Sequence, residues 1–284
     1  MTVSEPTSSA GGPSLARYVL GVVITVVAVL SQYFVPQMLA PTRVVYGSFV
    51  GDLFVVYGIP IVAFLLLVGV GPLRQWRARM GLAAREGLAW YGVLFLVSLG
   101  VIVLLVIVYE FVDPSALQLL TRTNPAVAQA DSDPWFYVGF SFAIGAIEET
   151  IFRGWIFGFW TSRSTPWVVP ATWTSALFAA VHLYYGTTYG AASPLLYPSL
   201  FLAGFSFAAA YRYSGGNLVV PALLHGQMDA TAFLQLISPV AAEAIRYGVV
   251  FVGVVLAVIA YVRSSAAGPS SPATPLGPPG AELR

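Results

Sequence analysis

Apolar residues run along this chain in long blocks separated by short polar stretches. A helix that crosses a bilayer needs about 20 mostly apolar residues. Eight blocks approach or exceed that length: 15–35, 44–70, 88–112, 134–158, 167–185, 195–213, 217–237 and 243–262. The pattern predicts an all-α, polytopic membrane protein with about eight transmembrane helices. The fifth block is short and runs into HLYYGTTYGAAS. The first, from Tyr18 to Val35, is long for the apolar core of a signal peptide. It carries one basic residue, Arg17, and lacks a small-x-small cleavage site, so it reads as a retained helix. Residues 1–14 and 264–284 are rich in Ser, Pro, Gly and Ala. A stretch such as GPSSPATPLGPPG cannot pack a core and reads as a disordered tail. With no internal repeat and no second domain in view, 15–263 is expected to form one membrane domain.

Composition supports the membrane reading. The chain is 58% hydrophobic and 9% charged, with mean hydropathy +0.80, whereas a soluble domain carries about a quarter charged residues. There is no cysteine, which excludes disulfides, thiolate metal sites and a cysteine nucleophile. All 13 basic residues are Arg. That bias points toward a GC-rich prokaryotic genome, and the absence of Lys removes Ser–Lys and Schiff-base chemistry. A net charge of +1 leaves no footprint for nucleic acid.

The arginines set the orientation. Loop 71–87 holds Arg74, Arg77, Arg79 and Arg85 against a single acid, and is cytoplasmic by the positive-inside rule. Loop 113–133 carries Asp113, Asp131 and Asp133 with only Arg122, and falls outside. Eight spans then place both termini in the cytoplasm, at the plasma membrane of a prokaryote.

Ionisable groups inside spans cost roughly 2.5–3.5 kcal/mol each on insertion scales and are functional candidates by default. Asp52, Glu110 and Glu243 lie near span ends, where they can reach headgroups. The deeper set is Glu148, Glu149, Arg153, His182, His225 and Asp229, and it includes both histidines of the chain. Glu149 and Arg153 stand four apart with the acid first, the better order for an ion pair. Glu148 is about 100° around the helix from Glu149, so one carboxylate can pair with Arg153 while the other points elsewhere. Phe178 and His182 are four apart, as are His225 and Asp229, and Gly226 gives close backbone access beside His225. Leaving these groups unpaired in hydrocarbon would be costly, so they are expected to share one polar site.

Glu and His side chains can hold and deprotonate a water. A second His can stabilise the oxyanion formed when that water attacks a carbonyl. The same groups, Glu148, Glu149, His182, His225 and Asp229, could instead hold a divalent metal such as zinc. Other intramembrane protease chemistries lack their signatures. There is no HExxH, and Ser141 and Ser206, in the two GFSFA stretches at 139–143 and 204–208, stand in no nucleophile elbow. Nor does any pair of isolated intramembrane aspartates suggest an aspartyl dyad.

EETIFR at 148–153, FAAVH at 178–182 and HGQMD at 225–229 resemble, in order, the EExxxR, FxxxH and Hxxx(N/D) motifs of the type II CAAX-protease and bacteriocin-processing family. The resemblance covers roughly 134–240. It implies an intramembrane endopeptidase with a conical active-site cavity in the membrane, acting on membrane-associated substrates, prenylated CaaX-type proteins among them. It further implies that Glu148 is the base and that His182 holds the water with it. Glu149 would support the pair and Arg153 anchor it, with Phe178 as a structural neighbour, while His225 and Asp229 form the oxyanion side. An ionised Asp229 cannot donate to an oxyanion, so it would be protonated, bind a metal or orient His225. The family is labelled both glutamic-type and metallo-type. Zinc, another divalent ion, or none all fit the residues, with Glu148, His182 and His225 as candidate ligands.

Two other classes fit the buried polar groups. One is a transporter or ion-binding membrane protein. The other is a non-catalytic immunity or scaffold protein of the same fold.

Overall fold

The computed structural model describes residues 14–38, 54–73, 134–161, 166–183 and 193–234, with scattered positions between 85 and 107 and between 248 and 262. Among the described residues the regular structure is helical and no strand occurs. Described helical positions fall within each of the eight predicted blocks, as the all-α expectation requires. Among the described residues, however, no helix is long and apolar enough to cross a membrane. The tails at 1–13 and 264–284, most of the arginine loop, and Asp52, Glu110 and Glu243 lie outside the described residues.

The chain divides into two units, Met1–Val70 and Gly71–Arg284. In the first, α1 (Leu15–Met38) packs against α2 (Ile59–Leu67) and the π-helical segment Phe54–Gly58 that leads into it. The interior face of α1 holds Tyr18, Thr25 and Ala28, while Leu15, Val19, Val23 and Val27, spaced four apart, are exposed. The Thr25 hydroxyl satisfies itself within the helix by donating to the Gly21 carbonyl at 2.9 Å. Helix α2 stops where the Val68 and Gly69 N–H groups both turn back to the Phe64 carbonyl. Gly69 takes a φ of 104°, which closes a helix end without the penalty a Cβ would meet.

The second unit carries the predicted motifs. Helix α3 (Pro134–Glu149) runs without a break through a π-helical segment, Thr150–Phe157, into α4 (Gly158–Thr161). Helices α5 (Val168–Val181), α6 (Ser193–Tyr213) and α7 (Val219–Leu234) follow. Helix α3 packs on α7, α5 on α6, and α6 on α7, while the π-helical segment touches α5 and α6. Phe157, Ala171, Phe205, Ala208, Tyr211 and Leu218 form a buried apolar cluster at the end where α4 stops and α5 begins.

The turn between α6 and α7 sets the register of the site. Gly215 and Gly216 take φ of 69° and 81°, and the Gly216 N–H reaches the Tyr211 carbonyl at 2.8 Å. The Asn217 side chain then accepts from the Val219 N–H at 3.0 Å, capping α7. So tight a turn makes α6 and α7 antiparallel neighbours. Residues equally distant from it, such as Phe207 and His225, come to the same height.

Candidate active site

Glu148 and Glu149 end α3, and Arg153 lies in the π-helical segment. Such segments hydrogen-bond i to i+5 and recur at functional sites. At this junction the Thr150 hydroxyl donates to the Ala146 carbonyl at 2.7 Å, the oxygen that the Thr150 N–H would take in an α-helix. The widened turn leaves Arg153 over Glu149: Nη1 donates to Glu149 Oε1 at 2.8 Å, with both side chains fully buried. Arg153 Nη2 donates to the Gly204 carbonyl on α6. Its guanidinium carbon lies 5.2 Å from the Phe178 ring centroid and 5.3 Å from that of Phe207.

Close approach of α3 and α7 brings the acids to His225. A Cβ on Gly145 would stand 2.6 Å from the Gly226 nitrogen, and one on Gly226 would stand 2.5 Å from the Phe142 Cα. The backbones therefore touch at a crossing that only glycine permits. One residue from it, His225 Nδ1 donates to Glu149 Oε1 at 2.8 Å. Because a carboxylate only accepts, Nδ1 carries the proton and Nε2 points the other way. There Nε2 stands 3.6 Å from Glu148 Oε2 and 3.4 Å from Asp229 Oδ2. The side chains of Glu148 and Asp229 are 12% and 32% exposed, against none for Glu149. The accessible side of the cluster is thus the side that carries those two acids.

Helix α5 contributes the other histidine. The predicted span 167–185 is helical only to Val181, and His182 closes it with φ −93° and ψ 11°. The reason is local. His182 Nδ1 donates to the Phe178 carbonyl at 2.7 Å, the oxygen an α-helix would offer to the His182 N–H. That N–H turns back to Ala179 instead, at 3.2 Å. The side-chain bond also fixes the tautomer, leaving the Nε2 lone pair of His182 to accept. Phe178 packs against both imidazoles, 4.7 Å from the His182 ring and 5.4 Å from that of His225.

The residues singled out from the sequence therefore converge. Glu149 pairs with Arg153 while Glu148 faces elsewhere, as their angular separation requires. Ser206 is set apart from this chemistry by donating to the Leu202 carbonyl at 2.9 Å. Two contributors were not singled out, the Gly204 carbonyl and the Phe207 ring, which stacks on His225 with centroids 4.9 Å apart and planes at 15°. Both lie in the second GFSFA stretch. The first supplies Phe142 to the crossing at Gly226, so the repeated pentapeptide was the available signal.

A metal fits the described residues poorly. The Nδ1 atoms of both histidines are taken by a carbonyl and a carboxylate. Among the described residues no three His, Asp or Glu side chains are grouped so as to hold an ion.

Residues 130–231 match the family of Rce1-like type II CAAX prenyl endopeptidases. The family is the one that the three motifs resemble. The Rce1-like region includes α3, the π-helical segment, α4, α5, α6 and most of α7, and with them all six ionisable residues of the site. No curated protein matches the chain, and no solved structure does.

Proposed function

We propose that this chain is an integral membrane endopeptidase that cleaves membrane-associated substrates, prenylated CaaX-type proteins among them, with a water activated by Glu148. The observation that carries the proposal is the pairing of hydrogen bonds at Glu149. Its Oε1 accepts from both Arg153 and His225, so Glu149 is committed to holding the site together. Glu148, its more exposed neighbour, stands 3.6 Å from His225 Nε2 on the accessible side of the cluster, and we read it as the carboxylate that takes a proton from water.

In this reading His182 holds the same water through Nε2, since its Nδ1–H is committed to Phe178. The water attacks the scissile carbonyl and Glu148 receives its proton. The oxyanion develops beside His225 Nε2, which donates to it when protonated. Asp229, 3.4 Å from Nε2, orients that edge of the ring. Glu148 then returns its proton to the leaving amine, which restores the site. The mechanism is glutamic, and no step passes through a metal.

The membrane placement is supported by the distribution of polarity. Exposed side chains at the scattered described positions include Leu88, Val93, Leu96, Leu104 and Ile107, and Phe251, Val255, Val258 and Val262. Glu149, Arg153, His225, Thr174 and Ser175 are buried. Polar interior with apolar exterior is the arrangement a bilayer favours. Trp160, Trp167, Trp173 and Tyr213 pack at one end of α4, α5 and α6, as aromatic residues do at a membrane interface. We read the chain as an eight-span membrane protein with this site inside the membrane.

The test is cleavage of a prenylated CaaX reporter peptide by the full-length protein in detergent, beside Glu148→Gln. Cleavage by the native protein and its loss in the variant support the reading. Equal cleavage by both would show that Glu148 is not the base. Cleavage by neither would remove CaaX processing and favour transport or a scaffold role.

A further inference from the structure

Helix α6 lines the site but carries none of the three motifs, and its Phe207 makes the closest ring contact that His225 has among the described residues. The two rings lie nearly parallel, 4.9 Å apart and 15° between planes, within the offset-stacking range of aromatic pairs. Phe207 is itself held. Phe178 meets it edge-on at 6.3 Å and 88°, and the Arg153 guanidinium carbon stands 5.3 Å from its centroid. One turn before it, the Gly204 carbonyl accepts from Arg153 Nη2, so α6 is tied to the charged cluster at two successive points on one face.

The His225 ring needs such a restraint. Rotation of an imidazole about its terminal torsion is broad, and rotamer preference alone does not set the ring plane. The hydrogen bond from Nδ1 to Glu149 fixes one corner. A ring pivoting about that corner would carry Nε2 away from Asp229 and Glu148, which lie at 3.4 and 3.6 Å. A flat neighbour over the imidazole face blocks the pivot.

We propose that Phe207 is a positioning residue whose stacked ring clamps the plane of His225, keeping Nε2 aimed at Glu148 and Asp229. Its catalytic consequence rests on the protease reading, but the clamp itself does not.

The test is ring nitrogen–proton NMR of the full-length protein labelled in histidine and held in detergent at one pH. The chain has two histidines, and His182→Gln assigns the signals. The native protein should show a protected Nδ1–H on each ring. In Phe207→Leu the His225 Nδ1–H signal should be lost to exchange, while that of His182, bonded to the Phe178 carbonyl, persists and reports an intact fold. Phe207→Tyr, which keeps the flat face, should restore the His225 signal. An unchanged His225 signal in Phe207→Leu overturns the clamp. If both signals collapse, Phe207→Met, similar in volume but without a flat face, decides on the same criterion. Where the reporter peptide is cleaved, Phe207→Leu should lower kcat about tenfold with KM unchanged. A raised KM at constant kcat would make Phe207 a substrate contact and refute the clamp. If the native protein cleaves nothing, the protease reading fails while the NMR result still decides the clamp.

Discussion

Glu149 and His225, 76 residues apart in the chain, are joined by a 2.8 Å hydrogen bond from Nδ1 to Oε1. The same oxygen accepts from Arg153. One buried carboxylate thus neutralises a guanidinium and fixes the tautomer of an imidazole, and the site is organised around it. Glu148, beside it in sequence, lies on the more accessible side of the cluster, 3.6 Å from His225 Nε2. This division of labour makes the two acids separable by experiment.

Glu148→Gln should reduce peptide hydrolysis by about 10²–10⁴-fold, the usual contribution of a general base. Its melting temperature in detergent should stay near that of the native protein, because the side chain is partly exposed and Arg153 keeps its partner. Steady-state cleavage and a thermal melt on the same preparation check both halves.

Arg153→Met should destabilise the fold by about 3–5 kcal/mol, the range for removing one partner of a buried ion pair. The double variant Arg153→Met/Glu149→Gln should recover part of that loss, since no buried charge is then stranded. Denaturant unfolding of the single and double variants measures the difference. With Glu149→Gln measured alone to close the cycle, a loss in the double variant equal to the sum of the two single losses would show that the pair is not coupled.

Gly226→Ala should lower stability by about 1–3 kcal/mol, as overpacking does, and should also lower activity. The added Cβ would meet the Phe142 Cα at 2.5 Å, and backbone cannot swing aside as a side chain can. Separation of α3 from α7 pulls His225 from Glu149. The measurement is the His225 Nδ1–H signal beside the rate of cleavage, and both should fall.

Asp229→Asn should retain most of the activity, because an amide oxygen can still accept from Nε2, while Asp229→Leu should lose about tenfold or more. Kinetics of the two variants separate orientation of His225 from a need for the charge. Loss in both would assign the charge itself a role.

Treatment with a metal chelator should leave cleavage unchanged, since the described donors are committed to one another rather than grouped around an ion. Activity lost to the chelator and restored by zinc would overturn the glutamic mechanism.

Much of this was legible in the sequence for a simple reason. Ionisable residues are rare in so apolar a chain, and helical spacing alone shows which of them share a face. Glu149 with Arg153, Phe178 with His182 and His225 with Asp229 each follow from an interval of four. Local intervals could not say which carboxylate meets which histidine, because that depends on two helices crossing at Gly145 and Gly226. Nor could they show that α5 ends at Val181, where a histidine side chain takes the carbonyl its own backbone would have used. Phe207 and Gly204 were not singled out, since an apolar ring and a backbone carbonyl carry no mark in a hydrophobic helix. Composition and periodicity were enough to establish the helical character of the chain and its inventory of reactive groups. How those groups are partnered emerged from the packed helices, because contacts between helices depend on crossing geometry and register, which residue spacing within one helix does not encode.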